Sequence, residues 1–248
     1  MRRFFIEISY NGANYSGWQS QDNAKSVQET IQIAAIKVLR QDTEIVGSSR
    51  TDAGVHALHQ IAQLDFEPND RLDQIVFKLN MALPDDISIL NIYEVHSNAK
   101  ARFEAISRSY RYIVSKRKNP FWVGRSLYHY GNLDLIKMRE CAEIIKRKTD
   151  FQAFSKVQTQ VNNFICHIHE AEWIEKDGFV FFEIKANRFL RGMVRGLVGT
   201  MLDVGKGKTT VDQFKEIFNL KDRKKAGENA PACGLYLTKV DYPAEIRI

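Results

Sequence analysis

The sequence predicts an α+β protein built as two α/β subdomains, each an antiparallel sheet flanked by helices. Three observations lead there. At 248 residues the chain holds one large domain or two small ones. Hydrophobic residues at 44% and charged residues at 27% supply a normal core and exclude disordered, collagen-like and coiled-coil chains. Strand-like runs come as hairpins with helical patterns interspersed, which disfavours a doubly wound parallel sheet.

In chain order, residues 3–9 alternate Phe and Ile with other side chains and read as a first strand. Asn11-Gly12 and Ser16-Gly17 punctuate a loop. Ser26 and Glu29 have capping-box spacing, and Val27, Ile31, Ala34 or Ala35, and Val38 follow at helical intervals, giving a helix over 27–40. A short strand at 43–46, a loop at 47–54 with a glycine at each end, and a strand at 60–66 come next. Asn69 or Asp70 caps a second helix that runs to Leu83 and is ended by Pro84, and 87–95 alternates as a strand. The second half has a similar order: a strand at 109–115, a helix over 133–148, and strands at 165–175 and 179–186 joined by Lys176-Asp177-Gly178. Helices over 188–204 and 211–219 lead to a last strand at 235–240. A boundary at 104/105 gives subdomains 1-104 and 105-248, with no detectable sequence repeat between them.

The formal charge is +6, and residues 185–208 carry +5 of it through Lys185, Arg188, Arg191, Arg195, Lys206 and Lys208 against Asp203 alone. Charge this local reads as a face for a polyanion, although a solvated helix face has the same composition. Arg188, Arg191 and Arg195 stand at i, i+3 and i+7, so on a helix they share one side, with Phe189, Met193 and Leu197 on another. That pattern suits an RNA backbone. Further basic clusters lie at 116–118, 146–148 and 221–225.

Several classes are excluded. No run approaches the roughly 18 uncharged apolar residues of a membrane span, since Arg195 breaks the best candidate, and Glu7 interrupts any signal-peptide core. Cys141, Cys166 and Cys233 are few, odd in number and far apart, as in a cytoplasmic protein with free thiols. Gly207-Lys208-Thr209 ends like a phosphate-binding loop, but Leu202 stands where the first glycine belongs, and no Rossmann or Gly-x-Ser-x-Gly pattern occurs. His56 with His59, and Cys166 with His167 and His169, lack a convincing second ligand pair, so no metal is expected.

What remains is Gly47-Ser48-Ser49-Arg50-Thr51-Asp52-Ala53-Gly54-Val55-His56-Ala57, a strand-to-loop transition able to present short polar side chains. Arg50 and Asp52 are two apart, so in an extended segment they point the same way, and the guanidinium favours the ionised carboxylate. On spacing alone, a structural ion pair in a turn, with Thr51 and Asp52 bonding to local backbone, explains these residues better.

The stretch 49–57 resembles the defining motif of the tRNA pseudouridine synthase A (TruA) family. Tyr10-Asn11-Gly12 with Gly17-Trp18-Gln19 and Ser26-Val27-Gln28 resembles that family's N-terminal block, and Ala101-Arg102-Phe103 with Ser107-Arg108-Ser109-Tyr110-Arg111-Tyr112 its central one. Phe189-Leu190-Arg191-Gly192-Met193-Val194-Arg195 and Gly234-Leu235-Tyr236-Leu237 resemble the two C-terminal blocks. The five occur in order over nearly the whole chain.

The resemblance implies a fold of two halves with a basic cleft between them, a homodimer, and conversion of uridines 38, 39 and 40 of the tRNA anticodon stem-loop to pseudouridine without cofactor or metal. By matching, Asp52 is the catalytic carboxylate, and Arg50 pairs with it and helps hold the flipped-out nucleotide. Tyr110 stacks on the uracil and assists removal of the C5 proton, Arg195 pairs with Asp52, and Leu235 packs in the pocket. Arg188, Arg191, Lys206 and Lys208 contact RNA. The chain departs from the family pattern at Ser49, usually glycine, at Gly196, commonly asparagine, and at Arg188, often a small residue.

Overall fold

The structure, a computed structural model, describes residues 1–156 and 163–248 and divides into two units, Met1–Ile106 with Tyr236–Ile248, and Ser107–Leu235. In chain order the first unit contributes β1 (Arg2–Tyr10), α1 (Val27–Leu39), β2 (Val46–Gly47), β3 (His56–Phe66), α2 (Leu72–Ala82) and β4 (Ile87–Val95). The second contributes β5 (Ser107–Ser115), β6 (Leu127–Tyr128), α3 (Leu135–Lys146), β7 (Ile168–Lys176), β8 (Phe179–Ala186), α4 (Met193–Gly205) and α5 (Val211–Leu220). Strand β9 (Leu235–Asp241) then returns the chain to the first unit.

The first unit's sheet has the order β4-β1-β3-β9, with β2 paired on β3. β1 is antiparallel to both β3 and β4, so Ile6 stands between Ala62 and Ile92. β9 is parallel to β3, pairing His56 with Tyr236, an arrangement that only a long connection permits. Phe4, Ile6 and Ile8 point to one face and Phe5 to the other, and all four are fully buried or nearly so. The second face is covered by the chain's own C-terminal residues. Tyr242 lies 5.2 Å from the Phe5 ring and donates its hydroxyl to Ala101 O, while the Arg247 guanidinium sits 3.9 Å from the centre of the Tyr93 ring. Burying a phenylalanine such as Phe5 contributes about 1.5–3 kcal/mol.

Local chemistry sets the helix ends. Ser26 Oγ accepts from Glu29 N at 3.2 Å and opens α1, and Arg40 closes it in the left-handed region at φ 56°. α2 is different from the expectation. It starts behind Arg71 without a side-chain cap, because Asp70 pairs with Lys78 and Asn69 donates to Leu39 O.

In the second unit β5, β8 and β7 run antiparallel in that order, with β6 a short parallel addition to β5. The β7–β8 turn places Asp177 at φ 52° and Gly178 at φ 81°, two consecutive left-handed residues that match the twist of the strands they join. Phe151, Phe154, Phe214 and Phe218 interlock with ring centroids 5.0–6.2 Å apart, and Trp173 Nε1 donates to Met201 S at 3.3 Å. Thr210 and Gln213 form the capping box of α5.

The helix expected over 188–204 begins only at Met193, behind Gly192 at φ 74°. Arg188 and Arg191 therefore lie in the connection before α4, and the shared helical face expected for Arg188, Arg191 and Arg195 does not form. The reason is local: Asn187 Oδ1 accepts from His167 N and Arg188 N, and Arg191 O accepts from Lys156 N, so this stretch bonds to neighbouring segments rather than to its own next turn.

Candidate active site

The motif segment leaves β2, bends at Ser48 and Ser49, and enters β3 through a turn closed by Val55 N donating to Asp52 O at 3.1 Å. Gly54 takes φ 75° in that turn, a conformation a residue with a Cβ adopts only under strain. Asp52 is half-buried at the start of the turn. Arg50 is exposed, and among the described residues it makes no hydrogen bond or ion pair, so its expected pairing with Asp52 is not formed.

The loop backbone is held from three sides. Thr51 O accepts from Trp18 N at 3.1 Å, and the Thr51 hydroxyl meets the Tyr10 hydroxyl at 2.9 Å. Gly54 N donates to Tyr15 O at 3.3 Å. Gln60, fully buried, accepts from Ser48 Oγ and donates to Ser49 O, both at 2.8 Å. The residues that do the holding are themselves fixed. Gly17 O and Trp18 O accept from Val27 N and Gln28 N, tying them to the first turn of α1. Asp86 takes the Tyr15 hydroxyl and Asn14 Nδ2 on its carboxylate and Asn11 N on its carbonyl, and burial together with Asp86 raises the Tyr15 phenol well above its usual range.

Close approach explains the N-terminal block. At Gly17, φ 102°, a Cβ would lie 2.6 Å from Thr51 O and 3.1 Å from the Asp52 carbonyl carbon. Trp18, 1% exposed, fills the space against Gly47. Ser49 is outside the left-handed region, so serine here costs no backbone strain despite the family's glycine. Gln60 and Asp86 were not singled out in the sequence. Nothing in spacing marks them, since each acts on a segment 11 or more residues away.

The other matched residues belong to the second unit. Tyr110 lies on β5 opposite Ile184, 9% exposed, with the Phe189 ring meeting it edge-on at 5.1 Å. Arg195 is half-buried in the first turn of α4, where its Nε donates to Ala230 O at 2.7 Å and its carbonyl accepts from Ala230 N. Gly196 lies close to Asn229: a Cβ there would be 3.3 Å from Asn229 Oδ1, which accepts from the Arg223 guanidinium. Leu235 is 5% exposed, next to Gly234, where a Cβ would come 2.7 Å from the Tyr112 ring. Arg188 is half-buried, and Arg191, Lys206 and Lys208 are exposed. The structure thus holds Tyr110 with Phe189, and Arg195 with Ala230.

His56 and His59 serve structure. His56 Nδ1 accepts from Gly12 N at 3.1 Å, and its ring stacks on Tyr236 at 4.6 Å. His59 Nδ1 accepts from Val240 N at 3.2 Å. Among the described residues no group of three or more His, Cys, Asp or Glu is placed to hold a metal ion, and no helix is long and apolar enough to cross a membrane. Burial pushes the Cys141 thiol up to about 12 and the Cys166 thiol to about 11, which leaves both poor nucleophiles.

A family model described as tRNA pseudouridine synthase matches residues 7–104 and 148–243. The chain belongs to the tRNA pseudouridine synthase family. These enzymes are isomerases. Proteins named tRNA pseudouridine synthase A from Bacteroides thetaiotaomicron and Porphyromonas gingivalis are 45% and 44% identical to it, over 99% of this chain and 93% and 99% of theirs. One from Francisella tularensis subsp. novicida is 38% identical over 98% of this chain and 95% of its own. The motif loop lies inside the first matched stretch of the tRNA pseudouridine synthase model, and Arg195 and Leu235 lie inside the second, while Tyr110 falls between the two.

Proposed function

We propose that this chain isomerises uridine to pseudouridine in tRNA at positions 38, 39 and 40 of the anticodon stem-loop, with Asp52 as the catalytic carboxylate. The observation that carries the reading is a half-buried carboxylate on a loop whose backbone is fixed from three sides, in a member of this family. The isomerisation breaks the bond between ribose C1′ and uracil N1, turns the base, and joins C1′ to C5. The C5 proton is lost and N1 gains one, so no oxidant or reductant is consumed. A carboxylate serves this by attacking C1′, by adding to the base, or by taking the C2′ proton. Each route needs the group held still, which favours the bound geometry over a mobile side chain.

Extruding a base from a stem costs a few kcal/mol. Arg50, free of internal ion pairs among the described residues, is suited to hold the extruded nucleotide, and Tyr110 to stack on its uracil and assist loss of the C5 proton. Arg195 acts with Asp52, Leu235 packs against the base, and Arg188, Arg191, Lys206 and Lys208 neutralise phosphates. Action in the cytoplasm as a homodimer completes the reading, and the free thiols Cys141, Cys166 and Cys233 agree with a reducing compartment.

The test uses tRNA tritiated at uridine C5. Wild-type protein is expected to release tritium, and Asp52→Ala to release none while still binding tRNA. Equal release by both would remove Asp52 from the chemistry. Mapping pseudouridine in tRNA from cells without the protein checks the three positions.

A further inference from the structure

The geometry points to a further RNA-contact surface, on the loop 116–131 of the second unit, none of whose residues is matched with Asp52 and which adjoins Lys206 at the end of α4. It rests on the reading of tRNA as substrate. The loop lies outside the two stretches matched by the family model.

From Lys116 to Leu133 the chain contains Lys116, Arg117, Lys118 and Arg125 and no acidic residue. Most of its large side chains face solvent. Phe121 is 83% exposed, Val123 78% and Tyr130 87%. These rings add nothing to the chain's own core, and a cationic, aromatic surface offers what single-stranded RNA needs: stacking faces for bases and countercharge for phosphates.

The loop is anchored rather than loose. Lys116 N donates to Gly178 O, His129 N donates to Ser115 O, and Asn119 Oδ1 accepts from Phe121 N. Trp122 packs on Phe179 at 4.9 Å. The far end of the loop reaches α4, where Asp134 N donates to Gly205 O, and the charge of Lys206, after burial, holds the His129 imidazole below its usual range. Lys206, next to Gly205, thus stands at the end of α4 that the loop reaches.

The charges that oppose the surface are few. Glu175 is paired with Lys116 at 2.5 Å, and Asp177 stands next to Lys176 in the β7–β8 turn. Arg117, Lys118 and Lys206 remain as exposed cations beside Phe121 and Tyr130. A protein partner of ordinary apolar type would not call for a stretch so uniformly cationic.

The experiment measures tRNA binding by the full-length protein against salt concentration, beside its oligomeric state by sedimentation. All substituted side chains are exposed, so folding is not at stake. Phe121→Ala/Tyr130→Ala is expected to weaken binding about tenfold with an unchanged salt slope, as lost stacking does. Arg117→Gln/Lys118→Gln is expected to weaken binding and flatten the slope by about one to two units. Both variants binding like wild type would overturn the proposal, as would a loss that accompanies a change in oligomeric state, which would make the loop a protein contact. Wild-type protein that fails to bind tRNA would instead overturn the parent reading.

Discussion

The motif loop of the first unit and the basic segments of the second are held in different ways. Around Asp52 the backbone is fixed by Trp18, Tyr15 and Gln60, and these by α1 and Asp86. Arg191, Lys206 and Lys208 lie at the surface, exposed, at turns and helix ends. The contrast follows from what each part does. A reacting carboxylate needs placement within fractions of an ångström, whereas attraction to a phosphate falls off slowly with distance and tolerates a swinging side chain. Precision is built from buried backbone contacts, and affinity from exposed charge.

The sharpest way to break that contrast is Gly17→Ala. The added methyl would stand 2.6 Å from Thr51 O at a φ of 102°, so the loop must move. With a displacement near 1 Å, the single-turnover rate is expected to fall on the order of 100-fold while tRNA binding stays within about twofold. A rate near wild type would show that the loop's position is not held by this contact.

Next in size is Arg188→Gln/Arg191→Gln. Loss of up to two phosphate contacts is expected to weaken tRNA binding several-fold at low salt and to flatten the plot of log affinity against log salt by about two. The rate at saturating tRNA measures the chemistry separately. An unchanged salt slope would return both arginines to the role of solvated charge.

The same contrast explains what the sequence could and could not disclose. β4 is found at residues 87–95, as alternation placed it, and β8 at 179–186, where the turn Lys176-Asp177-Gly178 placed it, because both signals are written in consecutive residues. The expected helix over 188–204 fails at its start because apolar spacing ran through Gly192, whose φ of 74° ends any helical continuation. The motif singled out Asp52, but Arg50 does not pair with it, since spacing can place two side chains on one side without fixing that they meet. His56, His59 and Gln60 are three neighbours whose partners, Gly12, Val240 and Ser48, lie 12 to 181 residues away. No local pattern encodes such pairings. The last strand was legible at 235–240, but its parallel pairing with β3 from the far end of the chain was not, for the same reason.

His59 offers the smallest effect and a check on whether the first unit's rigidity depends on pH. Its Nδ1 must be unprotonated to accept from Val240 N. Burial first, and Lys239 after it, hold the imidazole below its usual value, with Glu7 and Asp241 opposing. A base whose folded pKa lies below its unfolded one favours the fold when neutral, so this contribution is complete above about pH 6.5 and fades as the pH falls through the folded value. His129, lowered by burial and Lys206, acts with the same sign. Asparagine at position 59 offers an acceptor where Nδ1 stood and does not titrate. The urea midpoint of wild type is therefore expected to drop between pH 7.5 and 5.5 by more than that of His59→Asn, with His129 leaving a residual slope in both. Equal drops would show that the bond from Val240 N to His59 Nδ1 adds nothing measurable to stability, and that the β3–β9 seam does not sense pH.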